Sequence, residues 1–397
     1  MTKKLIQLVS VATGILAFHL IGCQPKQNQQ AQDESSVQQN HSMIEIPSYP
    51  NAQGVSAPFS GFIGGDLIIG GGCNFPTTPA AEGGKKVYYA DAFRLDTDSQ
   101  VYQWEPIASL PFPNAYGASI ETAEGLICIG GMNEDTSLKT VYCLQKDSGP
   151  KKFIIRMLPS LPESMDNAAA TCIGRQLYVT GGNQGNGGNS LYTLNLDKDT
   201  TWTKLTDYPG PKRIQPVLLA SNNELYLFGG FDVLTPATSK VGTKEGIISS
   251  NFIVYNLKDR TWGQPQSIPA MSDGSPRALV GCAGTRIGNQ FFIAGGVNYA
   301  IFKSAIEGKA PKDYMKRPAA WYQFSKDLLV YDLSTQAWTV IPSVDGFNKA
   351  GGNLLHHNGT LYMVCGEVKP GIRTNEIIQK ELKGLLSATH PARNTEN

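Results

Sequence analysis

The chain has 397 residues, a formal net charge of +1 and a charged fraction of 17%. This near-neutral balance gives no electrostatic reason to expect nucleic-acid binding, and the length is sufficient for one large repeat-built domain or two ordinary ones. The 42 glycines favour many tight turns and strands over long solvated helices.

The first segment, residues 1–22, is predicted to be a lipoprotein signal peptide. Two lysines in "MTKKL" precede the apolar run "LIQLVSVATGILAFHLIG", and "LIGC" matches the bacterial signal that is cleaved before a lipid-modified cysteine, here Cys23. A transmembrane anchor is the alternative, which the short and interrupted run disfavours. Lipidation of Cys23 predicts a periplasmic protein held at a membrane face, with the outer membrane favoured.

Residues 23–42 are predicted to be a flexible tether, because their Gln/Asn/Ser-rich composition cannot bury enough apolar surface to fold. Residues 43–397 are predicted to form the folded domain. Its six cysteines show no metal-binding spacing. Most of them lie in apolar strand runs typical of buried free thiols, but the sequence leaves a disulfide between Cys128 and Cys143 open in an oxidising periplasm.

Six apolar runs of the folded domain end in the same way. Five close with a glycine pair, namely "LIIGGG", "LICIGG", "LYVTGG", "LYLFGG" and "FFIAGG". The sixth, "YMVCGE", closes with Cys365-Gly366 followed by Glu367. The intervals of roughly 50 to 70 residues fall in the range of kelch units. Later in each unit come a strand with a tyrosine and a strand opened by a tryptophan, as in "LLVYDL" and "WTVIPS", so the units resemble kelch repeats.

Six such repeats predict an all-β fold, a six-bladed kelch β-propeller. Its ring must close, because an open end would leave strand edges unpaired. The last unit lacks a tryptophan strand, whereas "MIEIPSYPNAQGVSAPF" near the N-terminus parallels the end of the first unit. Residues 43–50 are therefore predicted to be the outer strand of the last blade, paired with the strand containing Glu376 to Gln379. A generic β-sandwich is the alternative that six ordered repeats disfavour.

The segment "GEVKPGIRT", residues 366–374, resembles the GE-x-KPG-x-RT segment of the bacterial sialic acid mutarotases, or N-acetylneuraminate epimerases. Two more segments resemble that family, "GGVNYAIF" at 295–302 and "EGGKKVYYAD" at 82–91. Their order along the chain is rotated relative to usual members, which implies the cyclically permuted branch of the family. A closed ring tolerates permutation because every blade keeps its two neighbours.

The resemblance implies a mutarotase that interconverts the α and β anomers of N-acetylneuraminate, a sugar acid, without a metal or cofactor. In the family the matching Glu is the general base and the matching Arg holds the substrate carboxylate, so the resemblance assigns these roles to Glu367 and Arg373. From the residues themselves, Lys369-Pro370-Gly371-Ile372 predicts a type II turn that brings Glu367 and Arg373 to one hairpin mouth. We expect Arg373 to hold Glu367 ionised in the empty site. A surface ion pair is the structural alternative.

Further substrate-binding candidates come from the matched segments and from the starts of repeat units. Asn298 and Phe302 begin the long insertion 297–327, which is a candidate lid over the site; a solvated loop is the alternative. Adjacent histidines in "NLLHHNG" would face opposite sides of a strand, which favours packing over metal binding. The predicted substrate-binding residues besides Arg373 are Lys369, Asn298, Phe302, Lys86, Tyr88, Arg213 and Tyr116, and Lys85 belongs to the same segment as Lys86.

Three other classes of protein fit less well. A protein-binding kelch module would not explain an acid where the other repeats have glycine, nor the Lys-Pro-Gly turn. A copper oxidase on a kelch propeller needs a His/Tyr metal set that the five histidines do not form. A sialidase would need repeated Asp boxes, and no S-x-D-x-G-x-T-W occurs. A mutarotase for a different sugar stays open, as does the oligomeric state.

Overall fold

Strands form most of the regular structure in the computed structural model, which describes residues 45–149, 152–235 and 244–387. The predicted signal peptide, the tether and Cys23 lie outside the described residues, so they stay predictions. Within the described part of the chain, no helix is both long and apolar enough to cross a membrane.

The first sixteen strands are β1 (Phe59–Ile63), β2 (Asp66–Gly70), β3 (Cys73–Asn74), β4 (Val87–Tyr88), β5 (Ala92–Asp96), β6 (Trp104–Pro106), β7 (Ala118–Thr122), β8 (Gly125–Ile129), β9 (Val141–Lys146), β10 (Phe153–Leu158), β11 (Met165–Asp166), β12 (Ala169–Ile173), β13 (Gln176–Thr180), β14 (Asn183–Gln184), β15 (Leu191–Asn195) and β16 (Thr203–Lys204).

The remaining strands are β17 (Val217–Ala220), β18 (Glu224–Phe228), β19 (Phe231–Leu234), β20 (Glu245–Ile248), β21 (Asn251–Asn256), β22 (Thr261–Trp262), β23 (Gln266–Ser267), β24 (Cys282–Ile287), β25 (Gln290–Gly295), β26 (Leu328–Asp332), β27 (Ala337–Ile341), β28 (Asn353–His357), β29 (Thr360–Val364), β30 (Glu367–Lys369), β31 (Ile372–Arg373) and β32 (Ile377–Glu381). The helices are α1 (Tyr299–Ile306) and α2 (Leu382–Ser387), with 3₁₀ turns at Ala80–Glu82, Tyr314–Lys316 and Ala319–Tyr322.

Six antiparallel sheets succeed one another along the chain and form the six predicted blades. Their strand orders are β1-β2-β5-β6, β7-β8-β9-β10, β12-β13-β15-β16, β17-β18-β21-β22, β24-β25-β26-β27 and β28-β29-β32. The first strand of each blade contacts the first strand of the next, and β28 contacts β1. The β-propeller prediction is therefore confirmed, and the ring is closed.

The hydrophobic core lies between the blades. Along each blade's second strand, side chains alternate between the two faces, as strand geometry requires. In β8, Ile127 and Ile129 pack with blade 3, whereas Leu126 and Cys128 pack with blade 1. The same division recurs at every junction, giving six apolar layers between blade pairs, including one between the last blade and the first.

This alternation of side chains between the two faces of a blade shows whether Cys128 and Cys143 can form a disulfide. Cys143 lies opposite Ile127 rather than Cys128, which pairs with Tyr142. A shift of one residue puts two strand side chains on opposite faces of a sheet, and the two cysteines accordingly belong to different apolar layers. Both are buried free thiols, so the disulfide that the sequence left open does not form.

The N-terminal segment lies against the last blade, as predicted, but it is extended rather than a regular ladder strand. Residues 43 and 44 are outside the described residues. Tyr49 N donates to Asn375 O at 2.8 Å and Ile46 N to Gln379 Oε1 at 3.1 Å, and both side chains are buried in the layer between the last and first blades. Prolines at 47 and 50 have no N–H to donate, which explains the interrupted pairing.

Candidate active site

A closed ring of backbone hydrogen bonds surrounds one end of the propeller axis. Each blade contributes one residue with positive φ, and the N–H of each donates to the C=O of its neighbour at 2.6–3.3 Å until the ring returns to its start. Each member stands 14 residues before the first residue of its blade's glycine pair. The members are Ala57, Tyr116, Asn167, Gln215, Gly281 and Gly351.

The residue that follows each glycine pair lies beside this ring. In four blades it forms an isolated bridge with the residue just before the ring member, as Glu367 does with Ala350. The equivalent positions hold Cys73, Met132, Asn183, Phe231, Val297 and Glu367. Glu367 therefore does not replace a glycine: Gly366 keeps the second glycine position, and Cys365 takes the first, with a φ of 52°. Among these six residues, Glu367 alone carries a carboxylate.

A short hairpin places Arg373 opposite Glu367. Strands β30 and β31 pair Glu367 directly with Arg373, and the turn between them runs through Pro370 and Gly371. Gly371 has a φ of 81°, the left-handed value that a type II turn requires at its third position. The predicted turn and the predicted closeness of the two side chains are both confirmed, since Arg373 Nη2 donates to Glu367 Oε1 at 2.7 Å.

Arg373 lies behind Glu367. Its side chain is 3% exposed, against 22% for Glu367, and its guanidinium lies 4.7 Å from the centre of the Phe75 ring, a favourable cation–π contact. Its Nε and Nη1 have no hydrogen-bond partner among the described residues. Buried donors are seldom left unpaired in folded proteins. The arrangement is a buried, partly unsatisfied ion pair rather than the surface pair that was the structural alternative.

Burial has a larger effect on the pKa of Glu367 than its positively charged neighbours have. It raises the pKa of this carboxyl above the ordinary value, while Arg373 and then Lys86 act in the opposite direction. The cost of charging a buried carboxylate thus exceeds the attraction of the guanidinium in its effect on this pKa, and the expectation that Arg373 holds Glu367 ionised in the empty site stays a prediction. A carboxyl poised in this way is suited to receive a proton.

A cavity of about 320 Å³ opens beside Glu367, which is within the size range of small-molecule sites. The predicted insertion provides an apolar wall and three of the polar groups, and the other polar groups come from the ring and its neighbouring residues and from the hairpin. The apolar wall consists of Val297, Ile301, Phe302, Ala305, Ile306 and Phe324. The polar side chains are Ser56, Tyr116, Gln215, Asn298, Tyr314, Tyr322 and Glu367.

The insertion is folded onto the propeller rather than being a solvated loop. Asn298 caps α1 by accepting a hydrogen bond from Ile301 N at 3.0 Å. Lys369 Nζ donates to Arg317 O at 2.8 Å, which joins the insertion to the hairpin. Phe302 packs edge-on against Phe231, with ring centres 5.0 Å apart. Asn298 and Phe302 line the cavity, whereas their role in substrate binding and the lid role of the insertion stay predictions.

Tyr116 and Lys86 are also brought to the site. The Tyr116 side chain lines the cavity, and its hydroxyl accepts a hydrogen bond from Lys86 Nζ at 3.1 Å. Lys86 is close enough to Glu367 to affect its pKa. Tyr88 pairs with Cys73 across β3 and β4, near the pair but outside the cavity lining. Lys85 points elsewhere and forms an exposed ion pair with Glu134.

Arg213 requires a correction. Its guanidinium is hydrogen-bonded within blade 4, where Nη1 donates to Gly229 O at 2.7 Å and Nη2 to Asn251 Oδ1 at 2.5 Å. Only 3% of the residue is exposed, and it does not line the cavity. It was predicted to approach the axis because it begins a repeat unit. It is in fact two residues before the ring member Gln215, which faces the cavity in its place.

Sequence reasoning missed several lining residues. Gln215 could have been found from its constant spacing before the glycine pair, a signal that also locates Tyr116. Its amide donates to Asn167 Oδ1 at 3.0 Å, continuing the polar side of the ring. Tyr314 and Tyr322 come from the insertion, whose path over the ring no repeat pattern reveals. Among the described residues no group of three His, Cys, Asp or Glu side chains is placed to hold a metal ion.

Comparison with known proteins now places this site in a family. The family model described as N-acetylneuraminate epimerase matches residues 158–388, more than half of the chain, and this match contains Glu367, Arg373 and the insertion. The chain belongs to the N-acetylneuraminate epimerase family.

An N-acetylneuraminate epimerase of Haemophilus influenzae (strain PittEE) is 33% identical over 234 residues, which cover 56% of this chain and 58% of that protein. One of Pasteurella multocida (strain Pm70) is 31% identical over 229 residues, covering 54% and 56%. The chain thus spans less than two thirds of the length of the relatives it matches. A solved structure of YjhT shares the fold, with a TM-score of 0.57 and 15% identity over 84% of this chain and 96% of that one.

Proposed function

We propose that this protein interconverts the α and β anomers of N-acetylneuraminate. The observation that carries the proposal is the buried Glu367–Arg373 pair, which opens onto a cavity of suitable size within the part of the chain that matches the epimerase family. Anomerisation requires removal of a proton from the anomeric hydroxyl, opening of the ring, rotation of a bond and closure on the other face. A positioned carboxylate is a sufficient general base.

Glu367 is the base in this proposal. Its backbone is fixed on both sides, since its N–H donates to Ala350 O at 2.7 Å and its C=O accepts from Ala350 N at 3.0 Å. The raised pKa gives the carboxylate a greater affinity for the proton that it removes. In the free protein, the fraction of ionised Glu367 grows as pH rises above the ordinary carboxyl range, so kcat/KM is expected to rise with pH there.

Arg373 holds Glu367 in place and supplies positive charge at the back of the site. Its unpartnered Nε and Nη1 support the predicted role in binding the sugar carboxylate. Since Arg373 does not line the cavity, this role requires the substrate carboxylate to enter beside Glu367. Lys86 lies nearby and can contribute to the same attraction.

The rotated order of the matched segments supports a circular permutation. The relatives match over 56–58% of their length, whereas the fold similarity to YjhT extends over 96% of that chain. A permuted sequence would align along one continuous part only, while the closed ring would keep its shape.

The test is direct. Freshly released α-N-acetylneuraminate is mixed with the purified protein, and the anomer ratio is followed by proton NMR against the spontaneous rate. Catalysis at substoichiometric protein supports the proposal. A rate equal to the spontaneous one contradicts it, and the same assay with other sugar acids then separates a mutarotase of different specificity from a protein without this activity.

We also propose that Cys23 is lipid-modified and attaches the protein to the periplasmic face of a membrane, with the outer membrane favoured. The support is the sequence "LIGC" after a lysine-bearing N-terminus and an apolar run. Labelling of growing cells with a fatty-acid analogue should mark the wild-type protein and leave a Cys23→Ala variant unmarked. Equal labelling of both would contradict the proposal.

A further inference from the structure

Tyr116 faces the same cavity as Glu367. It is the ring member of the second blade, and its backbone is fixed by an N–H donated to Ala57 O at 3.1 Å and a C=O that accepts from Asn167 N at 2.7 Å. Its φ of 61° belongs to the left-handed region, which is uncommon for an aromatic residue. The cost of this conformation is offset by the closed ring, so the side chain is presented from a rigid support.

The hydroxyl of Tyr116 accepts two hydrogen bonds. Lys86 Nζ donates to it at 3.1 Å and Cys73 Sγ at 3.3 Å. Cys73 Sγ is also the described group within hydrogen-bond distance that can accept the hydroxyl's own proton, and sulfur is a weak acceptor. A phenol oxygen that accepts from two sides has its O–H direction left for a third, and the open volume beside this side chain is the cavity.

The proposed reaction needs a proton donor as well as a base. When the bond between the anomeric carbon and the ring oxygen breaks, the ring oxygen receives the electron pair and must be protonated. Glu367 has by then taken the proton of the anomeric hydroxyl. A second group on the cavity wall that can give a proton and take it back would serve both ring opening and ring closure.

We propose that Tyr116 is this second catalytic residue, the general acid that protonates the ring oxygen. The proposal rests on the proposed anomerase function. In ring opening, Glu367 takes the anomeric hydroxyl proton, the carbon–oxygen bond of the ring breaks, and the Tyr116 proton passes to the former ring oxygen. After rotation of the open-chain ketone, Tyr116 takes back that proton as the hydroxyl attacks the other face of the carbonyl, and Glu367 returns its proton to the new anomeric oxygen.

The surroundings of Tyr116 fit this exchange. Burial raises its pKa well above the ordinary value, with Arg373 acting in the opposite direction. The phenol is therefore protonated at neutral pH, so that its proton is available to the ring oxygen when the sugar ring opens. The Lys86 ammonium, already hydrogen-bonded to the oxygen, would stabilise the phenolate between the two steps.

The experiment compares Tyr116→Phe with the wild-type protein in the NMR assay and in calorimetric titration with N-acetylneuraminate. The variant keeps the aromatic ring and loses the hydroxyl with its proton. Its kcat should fall about 10²-fold, within the usual contribution of a positioned general acid, while the dissociation constant changes by less than about threefold. Tyr255→Phe is the matched control, because it removes another buried hydroxyl, one without a hydrogen-bond partner among the described residues, and it should leave both quantities unchanged.

Lys86→Met provides a second variant that leaves Tyr116 in place. By removing the cation from the phenol oxygen it should lower kcat by about tenfold, a smaller loss than that of Tyr116→Phe. Three results would overturn the inference while leaving the anomerase function standing: wild-type kcat in Tyr116→Phe, a loss that lies wholly in substrate binding, or equal losses in Tyr116→Phe and Tyr255→Phe. A wild-type protein without activity would instead contradict the proposed function itself.

Discussion

Blade 6 and blade 3 have the same backbone at the axis and different chemistry. In both, the residue that follows the glycine-pair position lies beside a member of the hydrogen-bonded ring. It pairs with the residue just before that member, Glu367 with Ala350 in blade 6 and Asn183 with Asp166 in blade 3. In blade 3 the Asn183 amide donates to the Asp166 carboxylate at 2.8 Å. In blade 6 the carboxylate is on the strand residue itself, its neighbour is an alanine, and the cavity is beside it.

The fold provides six equivalent places, and in the proposed reaction the chemistry is carried by the side chain at one of them. Blade 3 satisfies its carboxylate with two amides and a hydroxyl, because Asp166 also accepts from Asn167 Nδ2 at 2.7 Å and from Ser137 Oγ. Blade 6 leaves Glu367 with one guanidinium and an open side. A carboxylate with fewer donors is the better base, so function is expected at the blade whose polar groups are least satisfied.

Removing the cation should have the largest effect on stability. Arg373→Met leaves the Glu367 carboxyl buried without its partner, and the free energy of unfolding should fall by about 3–5 kcal/mol at neutral pH. The loss should shrink as pH falls through the raised pKa of Glu367, which lies above the unfolded value of about 4.3, because the protonated carboxyl needs no cation. Urea unfolding at several pH values measures this.

The matched control for that variant is Arg156→Met, which removes an exposed arginine paired with Glu124 at 2.8 Å. Its cost should be below about 1 kcal/mol at every pH. Equal costs for the two variants would show that the pair in blade 6 has no special status and that the comparison between blades is mistaken.

A smaller loss is expected from the glycine that precedes Glu367. Gly366 has a φ of 103°, and an added Cβ would lie 2.9 Å from Gly352 N. Gly366→Ala should therefore destabilise the fold by about 2–3 kcal/mol and displace Glu367. Gly359→Ala is the control, since Gly359 also has positive φ, at 76°, but nothing lies within 4 Å of the added atom, and it should cost about 1 kcal/mol. Thermal unfolding of both variants would contradict the account if Gly359→Ala were the more costly.

The smallest effect on stability is expected in blade 5, where helix α1 begins shortly after Val297, the residue equivalent to Glu367. Asn298→Ala removes the side-chain cap of α1 and should cost about 1 kcal/mol, whereas Asn298→Asp, which keeps the accepting oxygen, should cost less than half of that. Unfolding by urea gives both values. If the two variants lost equal free energies of unfolding, the cap would not stabilise α1 and so would not hold the apolar wall of the cavity.

The repeats predicted the propeller because each unit folds locally into the same strands. The hairpin was predictable for a similar reason, as a Pro-Gly turn between Glu367 and Arg373 dictates its own geometry. Arg213 was wrongly assigned to the site and Gln215 was missed, although the two residues are only two positions apart. That distance is enough to change which side chain faces the cavity. The path of the insertion over the ring was beyond prediction, because it depends on contacts such as that between Lys369 and Arg317 O, which are distant in the sequence.

We expect Glu367 to carry out the chemistry and the side chains at the equivalent positions to take no part in it. The most direct measurement pairs calorimetric binding of N-acetylneuraminate with NMR anomerisation for Glu367→Gln, alongside Met132→Gln, which puts the same side chain at the equivalent place in blade 2. Glu367→Gln should bind about as well as wild type and lose roughly 10²–10⁴-fold in rate, while Met132→Gln keeps the wild-type rate. A Glu367→Gln protein that interconverts the anomers as fast as wild type would contradict the account.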